Sequence, residues 1–175
     1  HGVVVDTVRY QDRQALRVRE DPVAARVGPA LGVIGGVLLG EGTIEAWVAG
    51  LPAARAAEGA RGFIGLAYHV QDDVAEHQAF YLRPTNGRAM DQLRRNHSTQ
   101  YGAHPVWTWQ RLRTESPGVF ESYVDLLPGE WTRMRIVVRD TLALLYVGDA
   151  PEPVLVIPDQ RSPRRTALAA ALQRA

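Results

Sequence analysis

Short-range alternation is the property of this chain that most narrows its possible folds. "GTIEAWVAG" puts Ile44, Ala46 and Val48 on one side of an extended segment and Thr43, Glu45 and Trp47 on the other. A period of two with one apolar side is the requirement of a half-buried strand, because successive side chains leave a pleated backbone on opposite faces. "VVVDTVRY" and "QALRVRE" read as a hairpin joined by the polar "QDR" around Asp12. "FIGLAYHV" and "QAFYLRP" are two further strands around the turn-rich "QDDVAEH"; Pro84 ends the second, since it has no N–H for a ladder. "GVFESYVDL", "WTRMRIVVRD", "TLALLYVGD" and "EPVLVI" continue the pattern around turns at "PGE" and Asp140. Strands spaced in this way predict an all-β antiparallel sandwich or barrel instead of alternating βαβ units.

Three stretches do not alternate. "ALGVIGGVLLG" is apolar but broken by four glycines, and is far short of the roughly 20 residues that cross a bilayer. Residues 85–116 read as a long irregular excursion. "SPRRTALAAALQRA" reads as a helix: Ser162 suits the N-cap, Pro163 the first turn, and Leu168 and Leu172 share one face. The expected organisation is one β-domain over residues 1–160 with a helical tail over 161–175. At 175 residues, such a chain buries roughly two-thirds of its unfolded surface without needing a metal or a disulfide.

Composition excludes several chemistries. There is no cysteine, hence no disulfide, thiolate catalysis or Cys-ligated zinc. A net charge of +1 supplies no global field to recruit nucleic acid or acidic membranes. All 20 basic residues are arginine, each a planar fork of donors suited to carboxylates, phosphates and aromatic faces. A chain that opens on His1 reads as a processed or trimmed product. No nucleophile elbow, Walker loop, dinucleotide fingerprint or HExxH helix is present, and "GPALGVIGG" lacks the Lys-Ser/Thr of a phosphate cradle. His69 and His77 flank Asp72, Asp73 and Glu76, a spacing open to a cation but equally that of a solvated turn. No metal or cofactor is expected, beyond a structural calcium at a loop that the sequence leaves open.

The candidate site lies in "FYLRPTNGRAMDQLRRNHSTQYG", which gathers four arginines, two asparagines, two glutamines and a histidine between aromatic residues. Tyr81 and Arg83 alternate with Phe80 and Leu82, so they look outward if the latter look in. The excursion then supplies Asn96, His97, Gln100 and Tyr101, followed by Trp107 and Trp109. Sugars are recognised by such a mixture, with rings on the C–H faces of a pyranose and amides and guanidinium forks on its hydroxyls. An equally good reading is that Tyr101 and Trp107 fasten the excursion to the sandwich while the arginines solvate it. The six arginines over 83–113 against Asp91 alone also meet the crude footprint of a single-strand nucleic-acid platform. Neutral overall charge and the lack of a nucleic-acid motif argue against that. Glu45 sits beside Trp47 as a plausible site carboxylate, with Glu121 and Asp125 the other strand-borne acids, but no paired-carboxylate motif supports ordinary glycoside hydrolysis.

"GTIEAWVAG", "RGFIGLAYHVQDD", "FYLRPTNGRAMDQLRRNHSTQY" and "GEWTRMRIVVRDTLALLYV" together resemble the concanavalin A-like lectin/glucanase superfamily. More narrowly they are similar to bacterial laminin G-like proteins related to the 3-keto-disaccharide hydrolase domain, over roughly Val3 to Pro158. The resemblance implies a two-sheet jelly roll whose concave face binds a glycan or similar polyhydroxylated ligand, with Glu45, Tyr81, Arg83, Gln100 and Tyr101 on or beside that face. Arg83 and Gln100 would donate hydrogen bonds, Tyr81, Tyr101 and Trp107 would stack, Asn96 would join them and Glu45 would accept. Were the chain an enzyme, a glycoside hydrolase or lyase, Glu45 or His97 would be the base and Arg83 would face the developing oxyanion. A purely structural or interaction domain is the third expectation. The resemblance also favours a periplasmic or extracellular location.

Two departures qualify the likeness. Gln78 stands where relatives tend to carry an acid, and the terminal segment lacks the glycine and aromatics of their closing strand. A missing closing strand would leave a sheet edge open, so a homodimer through that edge is expected.

Overall fold

Burial follows the alternation. In Thr132–Arg139 the buried residues are Met134, Ile136 and Val138, and in Gly42–Val48 they are Ile44 and Val48. The computed structural model describes residues 1–23 and 30–158 in full, and the backbone of Thr166–Leu172. Its strands are β1 (Val3–Tyr10), β2 (Arg13–Glu20), β3 (Ala30–Leu39), β4 (Gly42–Val48), β5 (Ile64–Val70) and β6 (His77–Leu82). There follow α1 (Gln92–Asn96), β7 (Thr99–His104), α2 (Trp109–Glu115), β8 (Glu121–Ser122), β9 (Thr132–Arg139), β10 (Leu142–Val147), β11 (Leu155–Pro158) and β12 (Thr166–Leu172).

The strands form two packed antiparallel sheets, a jelly-roll type of β-sandwich. One has the order β11-β10-β9-β4, the other β3-β12-β5-β6-β7-β8, and β1 and β2 pair as a separate hairpin. Between the sheets, Met134, Ile136, Ala143 and Leu145 meet Leu66, Tyr68, Phe80, Leu82 and Tyr101 in one core. Each large apolar side chain there contributes about 1.5–3 kcal/mol relative to exposure. The β1–β2 and β9–β10 connections are two-residue turns, with Tyr10 opposite Arg13 and Arg139 opposite Leu142. Gln11 and Asp140 take the positive φ that such turns need to follow the strand twist.

One polar group is built into the core. Gln78 Oε1 accepts from the Tyr101 hydroxyl at 2.7 Å and the Tyr68 hydroxyl at 3.1 Å. Its amide nitrogen donates to His69 Nδ1 at 3.3 Å, which assigns the His69 proton to Nε2, donating to Gly40 O at 3.0 Å. The amide thereby satisfies two hydroxyls and a ring nitrogen in a place where an unpaired polar group would be costly.

The structure corrects the expectations for the segments that do not alternate. The terminal helix is instead a strand, β12, paired to β3 on one side and β5 on the other. Ser162 and Pro163, read as its cap, lie outside the described residues. With β12 inside the sheet, the edge exposure expected from a missing closing strand does not arise; the edges of this sheet are β3 and β8. The glycine-broken apolar stretch is strand β3, and the excursion over 85–116 contains α1, β7 and α2.

Candidate functional site

One file of residues crosses the six-stranded sheet on the face turned away from the core. Gly65 pairs with Tyr81, Tyr81 with Gln100 and Gln100 with Glu121, so their side chains share that face. The close approach of β5 and β6 requires glycine at one point, since a Cβ on Gly65 would lie 2.3 Å from Phe80 O and 2.6 Å from Tyr81 Cβ.

Arg83, just beyond β6, organises the file. Its Nη1 donates to His97 O at 3.0 Å and Gln100 Oε1 at 3.3 Å, and its Nη2 donates to the Tyr81 hydroxyl at 3.3 Å. Its guanidinium lies 5.1 Å from the Tyr81 ring, 5.6 Å from Phe63 and 5.8 Å from Trp109. Gln100 donates in turn to Tyr101 O and Phe120 O, both at 3.0 Å. Burial lowers the Arg83 pKa and raises that of the Tyr81 phenol.

The short helices bring in the rest. Asp91 caps α1 by accepting from Arg94 N at 2.8 Å, and the helix ends at His97. Asn86 Nδ2 donates to His97 O at 3.1 Å, while Arg94 Nε donates to Asn86 Oδ1 at 3.0 Å. Thr108 caps α2, which turns Leu112 into the core. Trp109 and Arg113, four residues apart, stack with 4.8 Å between guanidinium and ring. Arg113 donates to both oxygens of Glu121, from Nε to Oε1 at 3.2 Å and from Nη2 to Oε2 at 2.6 Å, and His97 Nε2 lies 3.1 Å from Glu121 Oε1. The Glu121 side chain is 4% exposed, His97 17% and Arg113 31%, so the ligand-accessible members are His97, Arg113 and half-buried Trp109. Burial lowers the His97 pKa, against the opposing effect of Glu121.

The structure divides the sequence-predicted residues between separate places. Tyr81, Arg83, Gln100 and His97 do come together on one face. The first three were expected to meet a ligand directly; instead they are buried beneath Phe63 and Trp109, as the foundation of the cluster. Tyr101 follows Gln100 in the strand and so points the other way, into the core. It meets Trp107 there, in a cavity of about 250 Å³ also lined by Leu112, Glu115, Ser116 and Phe120. The Arg111 guanidinium covers Trp107 at 4.0 Å. Asn96 is exposed at the end of α1, and Asn86 holds the buried position instead.

Glu45 is on the outer face of the opposite sheet. Arg133 binds it at 3.0 and 2.9 Å, and that hydrogen bond lowers its pKa below the usual carboxylate value. The expected pairing of Glu45 with Arg83 and His97 is therefore not formed, because β4 presents outward on the far side of the core. Glu121 and Trp109 were visible in the sequence as a strand acid and a nearby aromatic. Arg113, Phe63 and Asn86 carried no signal separating them from ordinary surface and turn residues.

His69 and His77 do not form a cation site with the neighbouring acids; no cluster of three or more potential ligands occurs among the described residues. His77 stacks on His104 at 4.7 Å. No helix among the described residues is long and apolar enough to cross a membrane.

No family profile matches the chain. No curated protein matches it in sequence either. Among solved structures it is similar to the carbohydrate binding module CBM66 from Bacillus subtilis, with a TM-score of 0.64 over 99% of this chain and 89% of that one. Sequence identity is 9%, so the likeness is one of fold.

Proposed function

We propose that the outer face of the six-stranded sheet binds a saccharide, with Trp109 covering a sugar C–H face and His97 and Arg113 bonding its hydroxyls. The observation carrying this reading is the network beneath them, in which Arg83, Gln100, Tyr81 and Glu121 are buried on an outer sheet face, Arg83 bonded to Gln100 and Tyr81, and Glu121 to Arg113 and His97. Burying so many polar groups away from the core is costly unless they hold a surface in a fixed shape, and fixed donors lower the ordering cost of binding. The fold likeness to a carbohydrate-binding module supports the same reading, as does the resemblance to concanavalin A-like proteins. In a glycan-library screen followed by calorimetry, Trp109→Ala weakens binding about tenfold or more, a loss of about 1.4 kcal/mol. Trp47→Ala on the far sheet leaves it unchanged. Binding that survives Trp109→Ala rejects the site. Sustained release of free sugar, abolished by His97→Ala, would move the reading to catalysis, with His97, held by Glu121, as the acid–base group.

A further inference from the structure

The cluster carries more positive charge than its own acids match. Arg61, whose carbonyl accepts from Thr85 N at 3.3 Å two residues beyond Arg83, and Arg113, paired with Glu121, both act electrostatically on Arg83 together with Glu121, which sets three arginines against one carboxylate. Glu121 is engaged by Arg113. Arg83, 5% exposed, has only neutral acceptors among the described residues: His97 O, Gln100 Oε1 and the Tyr81 hydroxyl. Half-buried Arg61 donates to Gly59 O and likewise has no acid partner there. Asp91, which acts on His97, caps α1, and that helix carries Arg94 and Arg95 in its own last turn. A buried cation without a counter-ion is disfavoured, and burial lowers the pKa of both Arg83 and Arg61. The imbalance is local, since the whole chain is at +1.

Resting on the saccharide reading, we infer that the sugar bound here is anionic, with its carboxylate or sulfate beside Arg61 and Arg113 and supplying the counter-charge that Arg83 lacks. Charge-assisted hydrogen bonds to guanidinium groups are the strongest this surface can offer, and Trp109 restricts the partner to one with a stackable ring. Free small anions would meet the charge without the ring.

Calorimetry on the whole chain tests this with oligogalacturonate and hyaluronan oligosaccharides, each against its neutral methyl ester, and a carrageenan oligosaccharide for sulfate. The expected result is at least tenfold tighter binding of an acid form than of its ester, weakened by salt and reduced about tenfold by Arg61→Gln. Preference for hyaluronan or galacturonate identifies the carboxylate; preference for carrageenan identifies the sulfate. Equal affinity of acid and ester, still dependent on Trp109, overturns the anionic inference and leaves the site standing. Acid-specific binding that persists in both Arg61→Gln and Arg83→Gln also overturns it. Should none of these probes bind, while a neutral glycan binds independently of Trp109, both inference and site are rejected.

Discussion

The two outer faces of this sandwich use the same residue types with opposite consequences. On the four-stranded sheet Arg133 grips Glu45, Arg13 lies 4.3 Å over Trp47, and Arg135 lies 3.8 Å over Tyr146. Arg133 and Glu45 are 35% and 40% exposed, so water competes for every one of their bonds. On the six-stranded sheet Arg113 grips Glu121 with the same fork, but Glu121 is 4% exposed and shares its carboxylate with His97. Burial, more than the list of partners, separates a solvated ion pair from a fixed one. An exposed pair contributes about 0–1 kcal/mol, whereas removing one partner of a buried pair leaves an uncompensated group behind.

Paired substitutions measure that difference. Glu121→Ala should destabilise the fold by roughly 3 kcal/mol in urea titrations, at the lower end for a broken buried pair because Arg113 is partly solvated. Acid should act next, through the buried histidines of the six-stranded sheet. Burial, reinforced by the like charge of His104, holds His77 down at about 4 against 6.5 for an ordinary histidine. The unfolded chain then takes up the proton first as pH falls, so stability is full above about 6.5 and lost between there and about 4. His77 accounts for up to roughly 3 kcal/mol of this loss, and His104, lowered by burial, acts in the same direction. Urea midpoints at pH 7 and pH 4.5 should therefore converge in His77→Asn relative to the unaltered chain; an unchanged gap would assign the acid response elsewhere. Smallest of all, Glu45→Gln should shift stability by less than about 1 kcal/mol. Equal losses from Glu121→Ala and Glu45→Gln would erase the distinction between the faces.

Much of the fold was legible because period-two alternation survives wherever one strand face is wet or half-wet. β4, β9 and β10 are placed by it, and so is the outward direction of Tyr81 and Arg83 from β6. β3 and β12 were not legible for a physical reason. Gly- and Ala-rich segments carry little alternation, and "TALAAAL" has high intrinsic helix propensity. Ladders to β3 and β5 on both sides of β12 override that propensity. In the site, the file Tyr81–Gln100–Glu121 needs strand register, which alternation in one strand does not contain. Tyr101 was separable from Gln100, since adjacent residues of a strand face opposite ways. Glu45 alternates correctly too, but which sheet holds β4 is a matter of topology, and that places it across the core from His97.

The four tryptophans report on four different places, which permits a direct test. Trp109 marks the buried-foundation face, Trp47 the exposed sheet, Trp107 the cavity it shares with Tyr101, and Trp131 has an indole N–H that is buried without a partner among the described residues. Indole N–H signals in a ¹H–¹⁵N correlation spectrum, followed during titration with oligogalacturonate, should show the Trp109 resonance moving in a saturable way while those of Trp47 and Trp131 stay fixed. Saturable movement of Trp47 or Trp107 with Trp109 unmoved would contradict the account.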